Sequence, residues 1–371
     1  MAKQKWTFKK IIRQLHLILG LASGLVVFIV GITGAIYVFE QEGREIFQHD
    51  FYHVQNAGNI RLSFTQMNDT VRAHFPKEKI TSIRFKEDKD AAIIFYSKKE
   101  KAISVDPYTA KIIAVKSLSR DFFSIDEELH THLLLGDVGA VIIKCNVLIF
   151  FIMCISGLIL WWPKQVRFFK KAVTINFRTK NWKLLNWELH SVLGFYAVIV
   201  LIVISLTGIF FCYDSAKGAV AFLTGQAVPK KEKKVKSKKP ATGEHYSLDS
   251  AYAYLIKSDP GARETFITPS ADSVAPIRVL MRYPAMMVRR QNTIYFNQYT
   301  GKILKSDLYR NYTAYDKVAQ SNRNLHIGNF GLGLPGKIIW FFSGLIAASL
   351  PVTGFMIWLN RNRKKKRLTT I

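Results

Sequence analysis

"WELHSVLGFYAVIVLIVISLTGIFFCYD", Trp187 to Asp214, sets a histidine at the head of a segment otherwise apolar enough for a bilayer core. A hydrocarbon layer of about 30 Å takes roughly 20 helical residues, and an ionisable group within it is costly unless something pairs with it. The stretch has a twin. "LHLILG" at Leu15 to Gly20 and "LHSVLG" at Leu189 to Gly194 lie 174 positions apart, and Thr33-Gly34 and Thr207-Gly208 keep the same offset. Histidine, glycine and threonine-glycine holding register through a whole helix mark a repeat, so the chain reads as two tandem halves.

Four segments are long and apolar enough to span, approximately Ile11 to Phe39, Val138 to Trp162, Trp187 to Tyr213 and Pro335 to Leu359. The second and fourth are twins as well. "SGLILWW" at 156–162 matches "TGFMIWL" at 353–359 at an offset of 197, and Leu129-His130 upstream matches Leu325-His326 at 196.

The chain of 371 residues is 49% hydrophobic and carries a formal net charge of +27, which suggests a membrane protein with sizeable soluble parts. The charge is uneven. The stretch through Arg13, the connector from Lys164 to Lys183 and the tail "RNRKKKR" hold 18 Lys and Arg and no acid. Short basic flanks stay in the cytoplasm, which places both termini inside and the two long connectors outside. Topology thus accounts for the basic runs, and no nucleic-acid partner is expected. "PKKEKKVKSKKP", Pro229 to Pro240, falls in a long outside connector and reads as a solvated linker. The first span is too long for the core of a signal peptide and is expected to be an uncleaved anchor. Cys145, Cys154 and Cys212 sit within or at the ends of spans and offer no disulfide framework.

The expected division is 1–39 for the cytoplasmic N-terminus and first span, 40–137 for a first outer domain, 138–162 for the second span and 163–186 for a basic cytoplasmic loop. It continues with 187–213 for the third span, 214–334 for a second outer domain carrying the Lys-rich linker 229–240, 335–359 for the fourth span and 360–371 for a basic cytoplasmic tail.

Each outer domain opens on a helical pattern, "LSFTQMNDTVRAHFP" in the first and "SLDSAYAYLIKSDPGA" in the second. Alternating runs follow: "ITSIRF", "AAIIFYS" and "AISVDPYTAKIIAV", then "PIRVLMRYP" and "NTIYFNQYTGKILKS". Period-2 alternation bounded by Gly, Pro and Asp predicts strands. The closing hairpins, "VDPYTAKII" at 105–113 and "FNQYTGKIL" at 296–304, align without gaps. This helix-plus-hairpin pattern resembles the PepSY domain, an α/β module of the outer face of bacterial membranes.

The topology sorts four histidines into two layers, His16 and His190 near the cytoplasmic face and His130 and His326 near the external face. Two histidines per layer from different helices is what bis-imidazole haem ligation requires. His132, two residues from His130, points elsewhere on a helix and is the alternative ligand, although only His130 has a counterpart in the second half. Gly20 and Gly194 each lie four residues after a histidine, on the same helix face, where a missing side chain would let a flat macrocycle approach the backbone. Zinc would need three or four ligands in one place, and these histidines are spread over two faces. His49, His53, His74 and His245 lie in the outer segments and read as surface or substrate-side residues.

The "LH…G…TG" span, the "LH…G…SGL.LWWPK" span and the PepSY-like outer segments together resemble the PepSY-associated transmembrane family, which includes iron-regulated inner-membrane siderophore reductases. The resemblance covers nearly the whole chain. It implies an α-helical membrane protein with four transmembrane helices in two tandem halves and two α+β PepSY-like periplasmic domains, set in a bacterial inner membrane. It further implies two b-type haems, ligated by His16, His130, His190 and His326, and delivery of electrons to ferric siderophores in the periplasm. Reduction to Fe(II) weakens binding by hard oxygen donors and releases the metal. No acid, base or nucleophile is needed for that, and the expected enzyme is a haem-dependent oxidoreductase with no catalytic side chain of its own.

A non-enzymatic reading competes, in which the chain is a membrane-anchored PepSY module that binds or regulates a periplasmic partner protein. A transporter is disfavoured by the lack of intramembrane carboxylates and broken-helix pairs. No G-x-G-x-x-G follows a strand, so electrons are expected from a quinol or a separate cytoplasmic reductase. "RYPAMMVRRQ", Arg282 to Gln291, is a candidate surface for an anionic or aromatic ligand.

Overall fold

The computed structural model describes residues 7–228, 235–238, 245–284 and 286–369, with side chains to residue 362; most of the Lys-rich linker 229–240 lies outside them. From the amino end, α1 (Phe8–Tyr37) leads to two short helices, α2 (Glu40–Phe47) and α3 (His49–Tyr52), then to α4 (Phe64–His74). Strands β1 (Ile80–Lys86), β2 (Ile93–Ser97), β3 (Lys101–Val105) and β4 (Ile112–Ser117) follow, then α5 (Phe122–His132) and α6 (Gly136–Trp161). A single-turn α7 (Phe169–Ala172) precedes α8 (Trp182–Glu188), which runs through a π-helical turn at Leu189–Leu193 into α9 (Gly194–Cys212). The order then repeats: α10 (Asp214–Leu223), α11 (Leu248–Ser258), β5 (Glu264–Thr268), β6 (Ile277–Tyr283), β7 (Arg290–Phe296), β8 (Ile303–Asp307), α12 (Ala314–His326) and α13 (Leu334–Thr369).

Among the described residues, four helical stretches are long and apolar enough to cross a membrane: Phe8–Tyr37, Gly136–Trp161, Trp182–Cys212 and Leu334–Asn362. Each agrees with an expected span to within a few residues. The chain divides into two compact units: a spanning unit, residues 1–39, 125–219 and 322–371, and a sheet unit, residues 40–124 and 220–321.

In the spanning unit, α1 and α13 approach closely because small residues face each other. A Cβ on Gly31 would lie 2.9 Å from the backbone N of Ala348, and one on Gly344 would lie 3.0 Å from Ala35 Cβ. Such small-residue contacts replace the hydrophobic drive that helices lack in lipid. Cys154, Ala197, Val198, Leu201 and Ala347 form the buried seam joining α6, α9 and α13.

In the sheet unit, both outer segments contribute to one antiparallel sheet of eight strands, ordered β4-β3-β2-β1-β5-β6-β7-β8. The sequence counted two modules; the pairing of β1 with β5, Ile83 opposite Ile267 and Phe85 opposite Thr265, joins them. The seam strand β5 was not among the expected strands.

Helices α4 and α11 cover one face. α4 starts where a full capping box, Ser63 with Gln66, satisfies its first amides. Its Phe64, Met67 and Val71 follow helical spacing, and with Ala251 and Leu255 of α11 they bury against Ile83, Phe95, Ile103, Ile267, Val279 and Phe296. The carboxylate of Asp249 on α11 accepts from Phe64 N at 2.5 Å and from Thr65 Oγ1 at 2.6 Å, tying one helix to the other. On the opposite face of the first half, Phe51, Tyr52 and Val54 pack on Ala92, Ile94 and Ala102.

The aligned hairpins share their turns. Asp106 Oδ1 accepts from Tyr108 N at 2.7 Å, and Asn297 Oδ1 from Tyr299 N at 2.8 Å. Ala110 (φ 56°) and Gly301 (φ 67°) occupy the same left-handed position, where glycine is the unstrained choice.

Candidate functional site

Each layer of histidines is a facing pair. The rings of His16 on α1 and His190 in the π-helical turn have centroids 6.5 Å apart at an interplanar angle of 89°. Those of His130 and His326, near the carboxyl ends of α5 and α12, are 6.3 Å apart at 74°. A metal–imidazole bond of about 2 Å, with the nitrogen about 1.1 Å from the ring centre, puts two imidazoles sharing one metal from opposite sides at about 6.2 Å between centres. Both pairs stand at that separation. Along α1, His16 and Thr33 are 17 residues apart, as are His190 and Thr207 through α9. At 1.5 Å per residue the two layers are separated by roughly 25 Å.

Every one of the four rings is held at Nδ1 by a hydroxyl from a neighbouring helix. His16 Nδ1 lies 2.8 Å from Ser156 Oγ, His190 Nδ1 2.9 Å from Thr353 Oγ1, His130 Nδ1 3.0 Å from Thr33 Oγ1, and His326 Nδ1 2.8 Å from Thr207 Oγ1. Each hydroxyl residue is followed by glycine, and the glycine is what the imidazole rests on. A Cβ on Gly34 would meet His130 Cε1 at 2.9 Å, on Gly354 His190 Cε1 at 3.2 Å, on Gly157 His16 Cε1 at 3.4 Å, and on Gly208 His326 Cε1 at 3.7 Å. The four Ser/Thr-Gly dipeptides are therefore four seats. Each seat and its histidine belong to the same half of the chain, whereas each histidine pair joins one half to the other.

The seats have further support in the second half. Asn186 Nδ2 donates to the Thr353 carbonyl at 3.0 Å and Asn322 Nδ2 to the Thr207 carbonyl at 3.1 Å. Each asparagine precedes its histidine by four residues. The residue four before His130 is Asp126, which is buried and has no hydrogen-bond partner for Oδ2 among the described residues. Burial raises its pKa to about 6, helped by the neighbouring Glu127. Burial pushes His130 and His326 well below the ordinary imidazole pKa, so both are neutral at physiological pH.

Of the residues expected from sequence, the structure brings together His16 with His190 and His130 with His326. His132 is not part of a pair: its Nδ1 lies 2.8 Å from Thr131 Oγ1 and 3.3 Å from Glu128 Oε2, with its side chain 40% exposed. Gly20 and Gly194 face apolar side chains, Met153 Cε at 3.0 Å and Leu350 Cδ2 at 3.5 Å from where a Cβ would be. The glycines against the imidazoles are instead Gly34, Gly157, Gly208 and Gly354. Their signal was present in the sequence, since all four stand in the repeated "TG" and "SG" dipeptides, but these served there only as marks of register. In the candidate ligand surface 282–291, Arg282 is already committed to Glu264 at 2.8 Å.

A search of curated proteins returned no match. The family described as "PepSY-associated TM region" matches residues 13–361, nearly the whole chain and all four seated histidines. This chain belongs to the PepSY-associated transmembrane family.

Proposed function

We propose that this chain is a dihaem b-type reductase of a bacterial inner membrane, passing electrons across it to ferric siderophores in the periplasm and releasing the iron as Fe(II). The observation that carries the reading is the pair of facing imidazoles in each layer, at the spacing that lets two nitrogens share one metal. Among the described residues no cluster of three or more His, Cys, Asp or Glu could hold a metal. Two imidazole nitrogens per layer would suit a metal that a macrocycle also holds, and do not suit a zinc site that needs three or four ligands from protein.

His16 and His190 would hold one haem and His130 and His326 the other. When bound, each haem would supply a one-electron Fe(III)/Fe(II) couple. The chain's own part is to hold and insulate. The hydroxyl and glycine of each seat fix the ring that ligates. The apolar walls of α1, α6, α9 and α13 keep water and ions out of the roughly 25 Å between layers.

The repeated seats support two tandem halves, and the basic flanks support termini in the cytoplasm with the sheet unit in the periplasm. The electron donor on the cytoplasmic side is a quinol or a separate reductase, and lipid surrounds the four spans.

The test is a visible spectrum of the purified full chain before and after dithionite, followed by addition of ferric siderophores. Two low-spin haems per chain, reoxidised by a ferric chelate, are expected. A protein that stays colourless after reconstitution with haem overturns the reading in favour of a PepSY module that binds a periplasmic protein.

A further inference from the structure

The proton positions in the four seats follow from counting. A serine or threonine hydroxyl has one proton to give. Thr207 Oγ1 lies 2.7 Å from the Val203 carbonyl, Thr33 Oγ1 2.9 Å from that of Ile29, Thr353 Oγ1 3.0 Å from that of Ser349, and Ser156 Oγ 3.2 Å from that of Met153. A carbonyl oxygen only accepts, so each of these oxygen–oxygen contacts is attractive only if the hydroxyl proton lies in it. The same oxygen then meets Nδ1 of its histidine at 2.8 to 3.0 Å with lone pairs alone. That contact is attractive only if Nδ1 carries the proton.

We infer that Ser156, Thr33, Thr353 and Thr207 are positioning residues that lock their histidines in the Nδ1–H tautomer before any metal arrives, leaving Nε2 as an unprotonated lone pair. The structure gives no Nε2 of the four a hydrogen-bond partner among the described residues. Energy favours orientation as the purpose. An interhelical hydrogen bond of this kind in a membrane protein contributes less than it costs to bury a polar group without a partner. The seats do not offset the burial of the imidazoles, but they decide which nitrogen faces the partner ring. Ser156 is the loosest, lacking the methyl that fixes a threonine rotamer and standing farthest from its carbonyl.

This inference deepens the haem reading, yet its first test needs no haem. In the haem-free full-length chain in lipid nanodiscs, labelled with 15N-histidine, the four seated imidazoles are expected to be neutral with protonated Nδ1. In Thr33→Val, Thr207→Val and Thr353→Val the affected ring should move toward the Nε2–H tautomer, and Thr→Ser at the same positions should restore it. A wild-type spectrum in which the seated rings carry the proton on Nε2 overturns the inference whether or not the chain binds haem. In the haem-loaded chain, each valine variant should weaken retention of the haem it serves by about tenfold or more and raise its midpoint potential, because the ligand loses basicity. Wild type that takes up two haems while the valine variants retain and titrate them unchanged would refute the positioning role and leave the dihaem reading standing. Wild type that takes up none would refute only the latter.

Discussion

The four seated imidazoles of the spanning unit and that of His53 in the sheet unit are all held by polar partners, but by opposite chemistry. His53 Nε2 lies 2.6 Å from Glu45 Oε2 and its Nδ1 3.0 Å from Asp90 Oδ2. Burial alone would lower its pKa, and the two carboxylates outweigh that, so the net shift is upward and the ring is stabilised as a cation. Both nitrogens are spent. Each seated histidine has Nδ1 on a neutral hydroxyl and no hydrogen-bond partner at Nε2 among the described residues. A histidine's surroundings thus differ between the units: a ring braced at both nitrogens in the sheet unit, a ring fixed at Nδ1 alone in the spanning unit.

The largest break in that comparison comes from removing a seated imidazole. On the proposed dihaem reading, His16→Ala or His190→Ala should cost one of two haems per chain and leave the other, read as half the reduced absorbance; His130→Ala or His326→Ala should remove the complementary half. His132→Ala should leave the spectrum whole. Retention of both haems in His16→Ala would detach that residue from the site.

Next in size is the floor of the seats. Gly34→Ala presses a Cβ to 2.9 Å of His130, whereas Gly157→Ala stands at an ordinary 3.4 Å from His16. Haem occupancy should therefore fall clearly in the first variant and little in the second, measured as haem per chain after identical purification.

A smaller effect is expected at Asp126, where the second half has Asn322. A carboxyl whose folded pKa of about 6 stands above its unfolded value favours folding less as pH rises between the two, and the penalty is complete above the folded value. Asp126→Asn should melt higher than wild type at pH 7 and above, by on the order of 1–3 kcal/mol, with the difference vanishing near pH 4. Equal melting at both pH values would contradict this.

The smallest effect belongs to His53→Gln. A raised imidazole pKa contributes stability fully below pH 6.5 that is lost as pH rises through the folded value. Because the pair is only partly buried, the loss in the variant should be at most about 1 kcal/mol, visible at pH 6 and absent at pH 9 by thermal unfolding, with haem content untouched.

How much of this the sequence could show depended on the kind of signal. The spans were legible because twenty apolar residues have few other uses, and the histidines because repetition at a fixed offset lifted them above ordinary interfacial residues. The seats were not, because "TG" and "SG" say nothing about which ring lies against them until helix packing brings His130 to Thr33 and His16 to Ser156. The strand β5 escaped for a local reason: it has five residues, and its Phe266 points to the face away from the helices, so alternation was short and its apolar signal divided. Its pairing with β1 is a contact between residues some 180 positions apart, which no local pattern carries.

The β1–β5 seam has a consequence for assembly. A chain holding only the first four strands would leave β1 as a bare edge, the kind of template that recruits another strand. Its natural remedy would be a second copy related by a two-fold axis, with a stability that rises and falls with concentration. Carrying both sets of strands on one chain makes the closure intramolecular. The finished sheet then forms at any dilution and takes no stranger's edge at its centre.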